Sequence, residues 1–220
     1  TSIAPRSGFG PGTFNNVGGT LAVAAGKTGS VTVENANFSG NSTLDTTAAG
    51  SLLTLSPSVA ANYSGTLTAL GSGVQFASGG ATHTFASGAV LNGAFTQTTG
   101  NTSFANATLN GTYNLQGGSF ALASGTTAVN GTFNYAGGLL SGPGTLALST
   151  GDVLNVTGVT KEISGATLQN DGTVNLALNV GNNLQLSNGG VLTNTGTINF
   201  NESTSIAPRS GFGPGTFNNV

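Results

Sequence analysis

At 220 residues the chain is long enough for one large domain or two small ones and for a sizeable core. Only 5% of the residues are charged and the net charge is −2, against about a quarter charged in an ordinary soluble domain. That balance excludes an electrostatic footprint for nucleic acid or for an anionic membrane surface. The absence of Cys excludes disulfides and thiolate metal sites, and without Met the sequence reads as an interior piece of a longer chain or as a processed product.

The first segment, TSIAPRSGFGPGTFNNV at Thr1–Val17, reappears letter for letter at Thr204–Val220, an offset of 203 residues. Exact internal repetition over seventeen positions is the signature of a tandem array. Residues 1–203 then form one repeat unit and residues 204–220 open the next; a single unit with duplicated ends is the other reading. The segment carries Arg6 and Arg209, half of the four Lys and Arg residues, together with Pro5, Pro11, Pro208 and Pro214. Proline disfavours pairing within a central strand. The segment therefore reads either as a seam between repeats, with Arg6, Pro11 and Phe14 and their copies Arg209, Pro214 and Phe217 as the junction residues, or as one more coil.

Between the two copies a shorter unit, Gly-Thr or Gly-Ser followed by alternating apolar and small polar residues, recurs in chain order: GTLAV from Gly19, GSVTV from Gly29, GTLTAL from Gly65, GTYNL from Gly111, GTFNY from Gly131, GTLAL from Gly144, GTVNL from Gly172 and GTINF from Gly196. LNGAF from Leu91, LNGTY from Leu109 and VNGTF from Val129 are spaced by 18 and 20 residues. The pattern predicts short strands with period-two alternation, broken at Gly, Asn and Ser turns. Asn92-Gly93, Asn110-Gly111, Asn130-Gly131 and Asn188-Gly189 read as corners, since Gly and Asn accept positive φ. No eleven-residue window keeps a helical apolar pattern free of Gly, so helix is not expected.

Short strands recurring about every twenty residues suit an all-β parallel β-helix, in which each coil stacks about 4.8 Å above the last. About ten coils per 203-residue repeat give an axial length near 50 Å. Phe14, Phe38, Phe95, Phe120, Phe133 and Phe200, with Leu21, Leu67, Leu146, Val174 and Ile198, are expected to fill a dry interior. Thr, Ser and Asn would face outward and hydrogen bond along ladders. Turn spacing leaves strands shorter than the about 9–11 residues of a membrane-spanning barrel strand, so membrane insertion is not expected.

Residues capable of chemistry are few. No Asp, Glu, Lys or Arg lies between Asp45 and Asp152, yet Thr, Ser, Asn and Gly interrupt that stretch too often for a transmembrane helix. Asp152 and Asp171, 19 residues apart, could stack on one face, with Glu162 and Lys161 nearby. That cluster reads as an exposed rim with a local Lys161–Glu162 pair, and alternatively as a weak cation site or a carboxylate pair for glycan cleavage. His83, within Thr82-His83-Thr84, reads as a solvent-facing polar residue. The glycine-rich runs from Gly8 and Gly26 lack a following helix and read as turns rather than phosphate loops. No catalytic residue, metal ligand or cofactor is assigned.

The GTF and GTL units with intervening SGG, NGG and ASG turns resemble the β-strand-repeat regions of large bacterial secreted and surface proteins, the filamentous haemagglutinin-like and autotransporter-type adhesins. The resemblance implies a right-handed parallel β-helix, secretion to the cell surface, and a role in adhesion or an extracellular matrix. The expectation is a noncatalytic extracellular structural protein, a tandem-repeat solenoid forming a filament, matrix fibre or adhesin stalk. Its partners would be further copies of itself end to end, with glycans or cell surfaces beyond. The alternative is a carbohydrate-binding or carbohydrate-active β-helix, which requires a groove combining Asp152, Asp171 and an aromatic residue such as Tyr135.

Overall fold

The computed structural model describes residues 2–3, 12–24, 29–78 and 80–220. The turns expected from Gly8 and Gly26, together with Arg6 and Pro11, fall wholly or partly outside those residues. Every described segment of regular structure is a β-strand, and neighbouring strands pair in parallel. The chain winds as a three-sided solenoid. Ten strands, from Phe14–Val17 at one end to Ser205–Pro208 at the other, stack into the first face. A second sheet of 17 strands folds around a corner to make the other two faces. In each coil the chain visits them in one order, as in Asn101–Ala105 on the first face followed by Thr108–Leu115, which covers the second and then the third.

Three strands, Val90–Gln97, Thr108–Leu115 and Thr126–Tyr135, are longer than the turn spacing suggests because the parallel pairing continues unbroken through the Asn-Gly corner. The corner needs glycine for two reasons. Gly111 has φ +112°, a region unfavourable to L side chains, and a Cβ there would lie 2.5 Å from the carbonyl oxygen of Gly93 on the coil before. Gly131 repeats the arrangement on top of Gly111.

A coil takes about 22 residues, and the described chain completes about nine turns. The expected solenoid is therefore present with a longer coil. A spacing of about twenty holds only in the tightest part of the stack, where Val90 pairs with Thr108 and Thr108 with Ala128. Toward the ends the corners take in extra residues, so that Phe38 pairs with Tyr63 and Thr167 with Val191.

Alternation fixes the core. Along each strand one residue points between the faces and the next points to solvent, so a one-residue slip would turn the whole inner set outward. The expected interior residues Phe38, Phe95, Phe120, Phe133, Leu67, Leu146 and Val174 are buried, whereas Phe14, Leu21 and Ile198 are half-buried and Phe200 is exposed. The rings do not form one ladder. Phe38, Tyr63, Phe85, Phe104 and Phe120 stack along the first face, with centroids 4.4 to 5.7 Å apart. Phe76, Phe95, Tyr113 and Phe133 lie along the third. The two columns meet edge to face, as at Phe120 and Phe133, 5.1 Å apart with planes at 89°. Both geometries suit the ring quadrupole.

Among the described residues, Ser51 and Thr127 are inward strand residues that break the apolar pattern without compensation. Thr127 pairs with Leu146, is fully buried, and its Oγ1 has no hydrogen-bond partner. Replacing the hydroxyl by a methyl keeps the shape and removes an unsatisfied polar atom, so Thr127→Val should stabilise the fold by about 1 kcal/mol or more. A rise in the urea midpoint is the expected reading; a fall would mean that the hydroxyl is satisfied in solution.

Candidate functional site

The charged residues do not form one constellation. Asp152 points inward at the turn after Leu148 and accepts backbone N–H groups from Gly131 at 2.7 Å and Ser149 at 2.8 Å. Val153 pairs with Thr173, which sets Asp152 beside Gly172 and leaves Asp171 one position out of step. The expected stacking of Asp152 on Asp171 therefore fails by alternation: one carboxylate points in and the other out. Asp171 is exposed, and hydrogen bonds from Thr195 and Gln169 hold its carboxyl below the usual range. Tyr135, the aromatic residue a glycan groove would need, is buried. It donates to the Glu162 carbonyl at 2.7 Å and accepts the Leu140 N–H at 3.1 Å, and burial raises its hydroxyl to about 12.

The expected Lys161–Glu162 pair is also absent, because adjacent residues on a strand face opposite ways. Lys161 points into the core, where Nζ donates to the Val159 carbonyl at 2.7 Å and lies 6.0 Å from the Tyr135 ring; burial lowers its pKa. Glu162 points out and pairs instead with Arg209, two coils further on, while accepting a hydrogen bond from Ser187. Burial alone would raise the Glu162 carboxyl, but these hydrogen bonds and the Arg209 charge outweigh it and hold the group below its ordinary value.

His83 is not solvent-facing. It is fully buried, with Nε2 3.1 Å from the Ala77 carbonyl and Nδ1 2.7 Å from the Tyr63 hydroxyl. A carbonyl can only accept, so Nε2 carries the proton and Nδ1 accepts from Tyr63. Burial lowers the imidazole to about 4, so the ring is neutral. The expected alternation was right, but its phase was missed: His83 shares parity with Phe85, and Lys161 with Ile163. The same parity places Gln97 in the core, where it donates to the carbonyls of Gly100 and Ser119 and accepts from Thr102 and Tyr113. Among the described residues no three His, Cys, Asp or Glu side chains gather as a metal site.

What the outer surface offers instead is ordered amides. On the third face Asn134 donates to Asn114, Asn155 to Asn134, Asn175 to Asn155 and Asn199 to Asn175, at 2.8 to 2.9 Å. A second row joins Asn92, Asn110 and Asn130 at the corner, 2.8 Å per step. These are the expected polar ladders, formed by asparagine, with each hydrogen bond joining one coil to the next.

The two ends of the stack are different again. At the last coil Phe200 pairs with Leu176, Ile206 with Leu184 and Phe217 with Leu192; all three partners are buried, so these side chains point along the interior into open space. Phe200 is 52% and Phe217 44% exposed. At the first coil Ile3 is exposed, and Phe14 and Leu21 are half-buried. Of the expected junction residues, Phe14 lies on the first coil and Phe217 on the last. Arg209 stacks on Phe212 with 3.8 Å to the ring centroid as it reaches Glu162. Pro214 lies against the Asn188-Gly189 turn, accepting the Gly189 N–H at 3.1 Å. Comparison with protein-family profiles, with curated proteins and with solved structures finds no match to this chain.

Proposed function

We propose that this chain is a unit of a noncatalytic, extracellular structural protein, in which tandem β-solenoid repeats build a long filament, matrix fibre or adhesin stalk. The observation that carries the reading is the pair of open coil ends joined by an identical sequence. Interior side chains such as Phe200, Ile206 and Phe217 have no coil above them, and Thr204–Val220, the greater part of the last coil, repeats the seventeen residues that open the chain. A further repeat supplies both the missing backbone partners and the apolar cover. The resemblance to secreted adhesin repeats supports a right-handed stack and an extracellular setting. An almost uncharged exterior of Asn, Ser and Thr suits contact between fibres, with glycans or cell surfaces as further partners. No cofactor enters this role.

Electron microscopy of the native material tests it. At about 22 residues per coil and about 4.8 Å per coil, a 203-residue repeat should advance about 45 Å along the filament. A layer spacing near 4.8 Å, an axial repeat near 45 Å and a very large chain on a denaturing gel are the expected results. Discrete particles of single-repeat mass without those spacings would overturn the proposal.

A further inference from the structure

We infer that each 203-residue repeat advances the solenoid by nine coils plus one face, so that successive repeats present the same surface about 120° apart around the axis. This rests on the tandem-array reading above. The two copies of the duplicated segment do not occupy the same face. In the first copy Ser2–Ile3 lies on the third face, paired with Thr32 and Val33, and Phe14–Val17 lies on the first face, paired with residues 36–39. In the second copy Ser205–Pro208 lies on the first face over residues 183–186, and Thr216–Asn219 lies on the second over Val191–Asn194. Both strands have moved on by one face in the direction the chain winds.

The direction of the side chains is kept. Ile3 pairs with buried Val33 and its copy Ile206 with buried Leu184; Phe14 pairs with buried Ala36 and its copy Phe217 with buried Leu192. A slip of one residue would have turned these side chains outward, so the change is a rotation and not a misregister. Length agrees, since nine and one third coils of about 22 residues come close to 203.

The rotation also gives the inward residues Phe200, Ile206 and Phe217 of the last coil an apolar cover. The next strand, repeating Thr20–Ala22, falls on the third face over Phe200 and brings the equivalent of Leu21 inward. The strand repeating Gly29–Val33 falls over Ile206 with the equivalents of Val31 and Val33, and the strand repeating Ala36–Ser39 falls over Phe217 with that of Phe38. Three repeats then return the surface to its starting face.

A chain of six consecutive repeats, each with Val180→Cys, tests this. The protein has no other Cys, and Val180 is exposed in the turn between the third and first faces. Maleimide-biotin and streptavidin mark each repeat, and cryo-electron microscopy that resolves the coils gives the twist per coil to subtract. Rods with marks about 45 Å apart, stepping about 120° each, are expected. Rods whose marks run along one side would overturn the rotation and leave the filament standing. Compact particles without a rod would overturn the array reading, and this inference with it.

Discussion

Phe104→Ala should cost about 3–5 kcal/mol, the range for emptying a buried phenylalanine site. Phe104 is fully buried, stacks on Phe85 and on Phe120 at 4.4 Å each, and meets Tyr113 edge-on at 6.0 Å. Its neighbours are fixed by strand register above and below, so the cavity cannot collapse without breaking the ladder. Because each coil contacts chiefly its neighbours, the damage should be local. Hydrogen exchange should quicken in residues 82–124 and stay slow near residues 167–194, while Ser103→Ala, on the outward side of the same strand, should stay within about 0.5 kcal/mol. A loss below about 1 kcal/mol for Phe104→Ala would mean that the aromatic column does not hold the stack together.

Acid should weaken the fold first through His83. Its ordinary value is 6.5 and its value in the folded core about 4, so between those limits the unfolded chain takes up a proton that the fold refuses. The stabilising contribution is complete above pH 6.5 and declines as pH falls, with about 2–3 kcal/mol gone by pH 4.5. Asp45, Asp171 and Glu162 act in the same direction, but their folded values lie below 3.8, 3.8 and 4.5, so most of their loss comes at lower pH. No other histidine shares the window. Urea midpoints measured from pH 7 to 4.5 should therefore fall in the parent protein and stay nearly level in His83→Gln. Equal slopes in the two proteins would show that the imidazole is not shielded from protons.

How much of this was legible in the sequence follows from which rules act locally. Asn110-Gly111 announces its corner because the required φ is a property of the glycine itself, and GTYNL announces a strand because alternation is visible within five letters. The inner phase was legible too: His83, Gln97, Asp152 and Lys161 each share parity with a Phe, Leu or Ile two residues away. Polarity argued against that phase, and the core overrides it by supplying a partner for each group. Coil length was less accessible, since extra residues enter at corners such as 149–152 and 179–182 that carry no repeated motif. The Glu162–Arg209 bridge lies beyond local reading altogether. It joins residues 47 positions apart, and their proximity exists only once two coils have been wound. The repeat of 203 residues was plain at once, but its placement on a different face needed the observed register.

The direction of the backbone hydrogen bonds has a mechanical consequence. They run from coil to coil, along the length of the stack, as from Thr108 N–H to the Ala89 carbonyl and from Gln116 N–H to the Gln97 carbonyl. A pull shared evenly by the three faces loads all the bonds between two coils at once, and they must yield together. A pull on one free strand loads them singly, so an end coil peels like a zip while the middle of the rod holds. Tension on such a stalk is resisted best where no end is free.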